Sequence, residues 1–478
     1  MNLFNRAKKG LAWNSLGTLL KSALGLAQIA LLSRFFSAEE LGTYSQFFLV
    51  YTLSLMLVDF GLTTAAINRD QLTEHEKRQL GLGFIGNGLL ISVALFVAAP
   101  ALGALLNNPL LATILPWYTP ALLIMAVGNY AAMECQKTLN FSRLVLAETL
   151  ASVIGFTFLT VALLNGFGVY SFILSITINH LVRTGMLLVV HRQLSWRLWE
   201  LRISQLSAFY RYGGHFTGAN LLSFLVTSLD ILLISRFLGV EKTGQYGLIK
   251  DLVFRIATLL NPVLTRVALP FYAKMQGYTG LGSIYCRVKE LLCYLTVPIY
   301  SFFIMFPELS INALLGEKWL HLSVLLQLLA GWMIIRSVMS QSGSLLSAIG
   351  WVRQAFVWNI FIAVLVPLVI WFGTQSGIKG VATALLVMQL SLYLPHWYFL
   401  LRPAAAVSVS HYLLALALPL LTSILTLSFV EMLLPGESND IGTLLIALVM
   451  AAPIYMLLAS FRLKHLYLQL KTQVSAVS

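Results

Sequence analysis

The chain alternates between long apolar runs and short polar breaks. A membrane-spanning helix needs about 20 mostly apolar residues, with every backbone group bonded inside the helix. Fourteen runs meet that length: 11–36, 42–67, 80–106, 112–134, 145–165, 168–190, 213–238, 244–271, 290–312, 323–349, 354–374, 379–400, 411–434 and 442–461. No strand-like alternation competes with them. The pattern predicts an all-α polytopic membrane protein of about 14 transmembrane helices. Pro116, Pro120, Pro262, Pro298, Pro367, Pro395, Pro419 and Pro453 fall inside spans, where they mark bends.

Composition agrees with the pattern. Of 478 residues, 58% are hydrophobic and 10% charged, against roughly a quarter charged in a soluble domain. This excludes a soluble globular protein, a disordered chain and a disulfide-rich module. Residues 11–36 are too long for a signal-peptide core and read as a first span that stays. The net charge is +13. The basic residues sit mostly in loops, which suits topology and anionic lipids rather than nucleic acid. With the N-terminus inside, twenty Lys and Arg fall in inside segments. Arg34, Arg236, Lys242, Lys318 and Lys379, five in all, fall outside. Twenty against five places both termini in the cytoplasm. The connection at 191–212 carries Trp196 and Trp199 among charges and reads as an interfacial amphipathic linker.

Residues 31–44, LLSRFFSAEELGTY, return as LISRFLGVEKTGQY at 233–246. Seven of fourteen positions are identical at an offset of 202, among them Ser33/Ser235, Arg34/Arg236, Glu39/Glu241, Gly42/Gly244 and Tyr44/Tyr246. Six spans separate the copies, so the two halves cross the membrane in the same sense. Such a repeat implies a pseudo-two-fold axis along the membrane normal, with a cavity between halves and alternating access. The expected organisation is a six-helix bundle at 1–190, the linker at 191–212, a second six-helix bundle at 213–400, and two further helices with a cytoplasmic tail at 401–478.

Charges within spans are expensive and should face a cavity or one another. They are Lys21, Asp59, Glu148, Asp230, Lys250, Asp251, Arg255 and Arg336. Arg183 and Arg266, near inside ends, are expected to snorkel. Asn14, Lys21 and Gln28 form one stripe at helical period, as do Asn220, Ser223, Thr227 and Asp230. The offset of 202 aligns Gln28 with Asp230 and Asp59 with Asn261. Lys21, Lys250, Arg255 and Arg336 suit an anionic substrate group such as a pyrophosphate. Asp59, Asp230, Asp251, Gln28 and Asn261 are the expected coupling-ion or cavity groups. Structural readings stand beside these: Asp251 and Arg255 are i,i+4 and can neutralise each other, Asp59 can cap its helix, and Glu148 can be a local ion-pair partner.

Other patterns carry no chemistry. Gly81-Leu-Gly83-Phe-Ile-Gly86 lies within a span, not after a strand, so it reads as close helix packing. Asn140-Phe-Ser142 is a glycosylation sequon on the expected inside face. Cys135, Cys286 and Cys293 have no metal spacing, and no metal or other cofactor is expected.

The SRFLG-x4-G-x-Y segment at 235–246 and its looser copy at 33–44 resemble the polysaccharide-exporter (Wzx-like oligosaccharide flippase) branch of the multidrug/oligosaccharidyl-lipid/polysaccharide flippase superfamily. DFGLTTAAINR at 59–69, LNPVLTRVALPFYAKMQ at 260–276, GEKW at 316–319, LLQLLAGWMIIRSV at 325–338 and GSLLSAIG at 343–350 resemble its colanic acid exporter group. The resemblance implies two six-helix bundles around a central, often cationic cavity. It also implies translocation of undecaprenyl-pyrophosphate-linked oligosaccharide repeat units across the bacterial inner membrane, serving exopolysaccharide, capsule or O-antigen synthesis alongside polymerase and export machinery. A monomer suffices for that. Two other readings remain: a small-molecule cation antiporter of the same fold, and an integral-membrane polysaccharide polymerase.

Overall fold

A computed structural model describes the backbone over residues 3–190, 203–274, 280–434 and 440–475, and side chains over 17–189, 206–257, 272, 280–434 and 440–470. Among the described residues every regular element is helical. The long helices are α1 (Leu3–Phe35), α2 (Ala38–Asp59), α3 (Glu74–Leu105), α4 (Pro109–Lys137), α5 (Phe141–Leu164) and α6 (Tyr170–Val190). A continuous helical stretch, Ile203–Lys274, then turns at Gly239 into α7 (203–238) and α8 (240–274). The remainder are α9 (Leu281–Met305), α10 (Ser323–Ser340), α11 (Val352–Thr374), α12 (Gly377–His396), α13 (Val409–Leu433) and α14 (Ile441–Ser475). Fourteen helices match the fourteen apolar runs. Twelve described helical segments are long and apolar enough to cross a membrane, and the segment Leu206–Ala257 among them covers two of the predicted spans.

Local chemistry sets the boundaries. Ser37 and Glu40 open α2 with a reciprocal capping box: the Glu40 N–H donates to Ser37 Oγ at 3.2 Å, and the Ser37 N–H to Glu40 Oε2 at 2.8 Å. Thr73 and Glu76 open α3 the same way. Asn108 caps α4 ahead of Pro109, which has no N–H to leave unpaired. Left-handed Phe60 and Gly61 close α2.

Three boundaries differ from the sequence reading. The two spans on either side of 239 have no loop between them, because Gly239 (φ 85°, ψ 177°) turns the chain in a single residue. The helix leading into α7 begins at Ile203, so the second half of the expected linker is helical; 191–202 lies outside the described residues. Helix α9 begins at Leu281, nine residues before the expected span, and draws Lys289 and Glu290 into the packed interior.

The chain forms two compact units, Met1–Leu248 and Ile249–Ser478. This partition follows contacts, whereas the sixfold grouping at 1–190 and 213–400 follows the repeat. In the first unit α3 packs on α4, α5 on α6, and α1 on α5. In the second, α9 lies against α10 and α13, and α11 pairs with α12. Helix α3 shows how the faces divide. Leu80, Phe84, Gly88 and Ala99 face protein, while Leu90, Val93, Phe96 and Val97 stay uncovered, as suits lipid contact.

Candidate functional site

In the first unit, Lys21 on α1 donates to Glu148 Oε2 on α5 at 2.7 Å. Arg183 on α6 lies 3.8 Å from the other Glu148 oxygen and donates to Asn129 Oδ1 on α4 at 3.1 Å. Two cations from α1 and α6 thus meet one carboxylate on α5, and α4 steadies the second of them. Two cations and one anion leave a net positive charge there. Arg183 does not snorkel: these contacts hold its side chain, which is 16% exposed. One turn away, His180 meets the Tyr51 hydroxyl at 3.4 Å. Gln28 is half-buried, seven residues along α1 from Lys21.

The candidate acids of this unit are locally engaged. Asp59 accepts from the Gly61 N–H at 3.1 Å and from the Thr63 hydroxyl, bracketing the left-handed turn that ends α2. Asp230 is 4% exposed and accepts from the Tyr246 hydroxyl at 2.9 Å. Tyr246 is the repeat tyrosine, so one copy of the repeat fixes an acid on α7.

The two copies also pack on each other. A Cβ on Gly42 would collide with the Val240 carbonyl, and one on Gly244 with the Ala38 carbonyl. Beside them the Gln46 amide donates to Ser235 Oγ and to the Leu106 carbonyl, and Asn108 Nδ2 donates to Gln46 Oε1 at 2.6 Å. At the other end of α2, Gly61 meets Gly213 at backbone contact distance. Glycine lets the α7–α8 segment approach α2 at both ends.

The second unit holds the other three candidate cations. Lys250 and Phe254 share a face of α8, and Trp332 and Arg336 share a face of α10, each pair at i,i+4. The Phe254 and Trp332 rings stand 5.7 Å apart. Lys250 Nζ lies 5.3 Å from the Phe254 ring centre, and the Arg336 guanidinium 5.7 Å from Phe254 and 5.1 Å from Trp332. Two cations therefore stand against an aromatic pair. Asp251 and Arg255 are half-buried one position further along α8. The candidate set thus splits, with Lys21 in one unit and Lys250, Arg255 and Arg336 in the other. The side chain of Asn261 lies outside the described residues.

Sequence reasoning missed Phe254 and Trp332, although i,i+4 spacing from Lys250 and Arg336 pointed to them. It also left Lys289 just outside the ninth expected span, which begins at 290. Lys289 is 0% exposed, donates to the Tyr393 hydroxyl at 2.9 Å and the Tyr412 carbonyl at 3.1 Å, and stands over the Tyr412 ring. Glu290 next to it holds Arg462 by two hydrogen bonds.

A family model described as "Polysaccharide biosynthesis protein" matches residues 31–324, more than half of the chain. The chain belongs to this family. The lipopolysaccharide biosynthesis protein WzxC of Escherichia coli (strain K12) is 27% identical over 89% of this chain and 87% of its own. The teichuronic acid biosynthesis protein TuaB of Bacillus subtilis (strain 168) is 25% identical over 77% of this chain and 76% of its own. The succinoglycan biosynthesis transport protein ExoT of Rhizobium meliloti (strain 1021) is 22% identical over 77% and 74%. The fold is that of the lipid II flippase MurJ (TM-score 0.78, 14% identity, 95% of this chain and 99% of that one). It is shared with a multidrug resistance MATE family transporter (TM-score 0.61, 15% identity, 81% and 95%).

Proposed function

We propose that the protein is a flippase for polyprenyl-pyrophosphate-linked oligosaccharides, moving repeat units from the cytoplasmic to the outer leaflet of a bacterial inner membrane. The carrier lipid is undecaprenol on this reading, both termini are cytoplasmic, and one chain suffices. The observation that carries it is the Lys250–Phe254–Trp332–Arg336 cluster. Cations inside a membrane protein are costly, and where they occur they commonly mark an ion or substrate path. A guanidinium binds two phosphate oxygens at once, and an ammonium adds a point charge. Half-buried Phe254 beside them offers an apolar surface to the substrate. The fold is common to exporters of several substrate classes, so fold alone does not choose among them. The net cationic cluster favours an anionic lipid-linked sugar over a cationic drug. The relatives' printed roles in lipopolysaccharide, teichuronic acid and succinoglycan synthesis support the same choice.

On this reading translocation proceeds by alternating access, with Lys250, Arg255 and Arg336 engaging the pyrophosphate. Asp251, next to the cluster, is the acid proposed for ion coupling. Asp59 and Asp230 are held by local hydrogen bonds and support structure on this reading.

The test is a strain lacking the gene. Single repeat units on the carrier should accumulate in the cytoplasmic leaflet, with surface polysaccharide lost, and the wild-type gene should restore it. Single units accumulating in the outer leaflet would replace this reading with the polymerase one.

A further inference from the structure

Helices α11 and α12 form a hairpin that is tight at one end and open at the other. At the tight end Gly373 and Gly380 bring the two backbones into contact, and Gly377 (φ 71°) makes the turn. At the open end Pro395 interrupts α12, and the chain widens into a π-helical turn over Trp397–Leu401. A widened turn at proline pushes the helix axis aside. The result is a recess of about 660 Å³, walled by Val357, Trp358, Phe361, Leu392, Pro395 and Phe399, with Arg353 and Gln354 at its rim. Trp358 packs edge-on against buried His396 at 5.6 Å, so that wall is preformed. Val357, Phe361 and Phe399 are left uncovered by the rest of their unit. Arg402 sits at this same open end, over the Trp397 and Tyr398 rings. The charge distribution assigns that end to the cytoplasm.

We propose that this recess binds one anionic phospholipid of the cytoplasmic leaflet, with its phosphate at Arg353 and an acyl chain along the trough. The volume lies within the roughly 300–1,000 Å³ range of sites that enclose a small ligand. The apolar walls suit a hydrocarbon chain, and Arg353 is the one charged residue among the described residues that line it. Basic pockets between spanning helices on the cytoplasmic side are known to take lipid phosphates. None of these residues belongs to the cluster on α8 and α10, so this site and the transport reading stand or fall separately.

The test is native mass spectrometry of the full chain in detergent, titrated with phosphatidylglycerol and with phosphatidylcholine. The first phosphatidylglycerol should bind about fivefold more tightly than phosphatidylcholine. Arg353→Gln should abolish that preference, and Arg353→Glu should invert it. Val357→Trp, which fills the trough, should weaken the first binding step of both lipids. Arg353 and Val357 are exposed, so these variants should elute and melt as the wild type does. No preference in the wild type overturns the proposal, as does failure of either the Arg353 or the Val357 variants to move their reading. Displacement of phosphatidylglycerol by millimolar inorganic phosphate would show recognition of phosphate without a chain. Preferential binding of a polyprenyl pyrophosphate that Val357→Trp blocks would make the recess part of the substrate path. Either result also overturns it.

Discussion

At the scale of single residues, the buried charges divide into those that hold the protein together and those proposed to meet the substrate. Glu148 belongs to the first kind. It is the one carboxylate facing both Lys21 and Arg183. Glu148→Gln should lower thermal stability by about 1 kcal/mol, because the groups are partly exposed and a half-exposed pair is worth little more. A thermal melt in detergent reads this, and the double variant Lys21→Met/Glu148→Leu should recover part of the loss. Lys289 is more deeply committed. Lys289→Ala would remove an ammonium from the Tyr393 and Tyr412 acceptors and leave a cavity, so a loss of about 3 kcal/mol is expected. Lys289→Met, which keeps the stem, should lose less; equal losses would place the whole effect in the polar contacts. Arg336 is of the second kind. Arg336→Ala should reduce translocation at least tenfold in a protein that still inserts, and Arg336→Lys should restore only part of it, since an ammonium cannot bind two phosphate oxygens side by side. Transport unchanged in Arg336→Ala and in Lys250→Ala would remove the cluster from the mechanism.

At the scale of elements, the repeat is a contact as well as a similarity. Ser33/Ser235, Gly42/Gly244 and Tyr44/Tyr246 read as a motif in the sequence, and the structure gives the shared glycine a reason. Each copy presents a helix start to the other, and any Cβ at Gly42 or Gly244 would collide with backbone. Gly244→Leu should therefore force α2 and α8 apart at this end. The expected readout is lost translocation in a protein that still inserts, seen as increased accessibility of a cysteine placed at Ser45. An unaltered Ser45 signal would mean that the helices already separate freely. The native cysteines Cys135, Cys286 and Cys293 are all buried and free, so they should leave the background of such labelling low. The capping boxes give a milder test at this scale. Ser37→Ala leaves the Glu40 N–H without its side-chain acceptor and should cost about 1 kcal/mol by thermal melt.

At the scale of the molecule, the loop charges set orientation. A cysteine introduced at Lys379 should react with an impermeant maleimide in intact cells, and one at Arg353 only after permeabilisation. Reversal of both would invert the topology and move the lipid recess to the other leaflet. How much of the molecule was legible beforehand differs by feature. The sequence alone determined the number of long helices and the all-helical class, and it carries the repeat, because a bilayer imposes length and apolarity on every crossing and a repeat survives as matched polar and glycine positions. It also named most of the charged residues within spans. Tertiary structure decided their company: that Lys21 faces Glu148, that Asp59 brackets a turn, that Phe254 and Trp332 stand beside Lys250 and Arg336, and that Lys289 is interior. Partners of this kind come from helices many residues apart, and periodicity shows which face a residue occupies but not which helix meets that face.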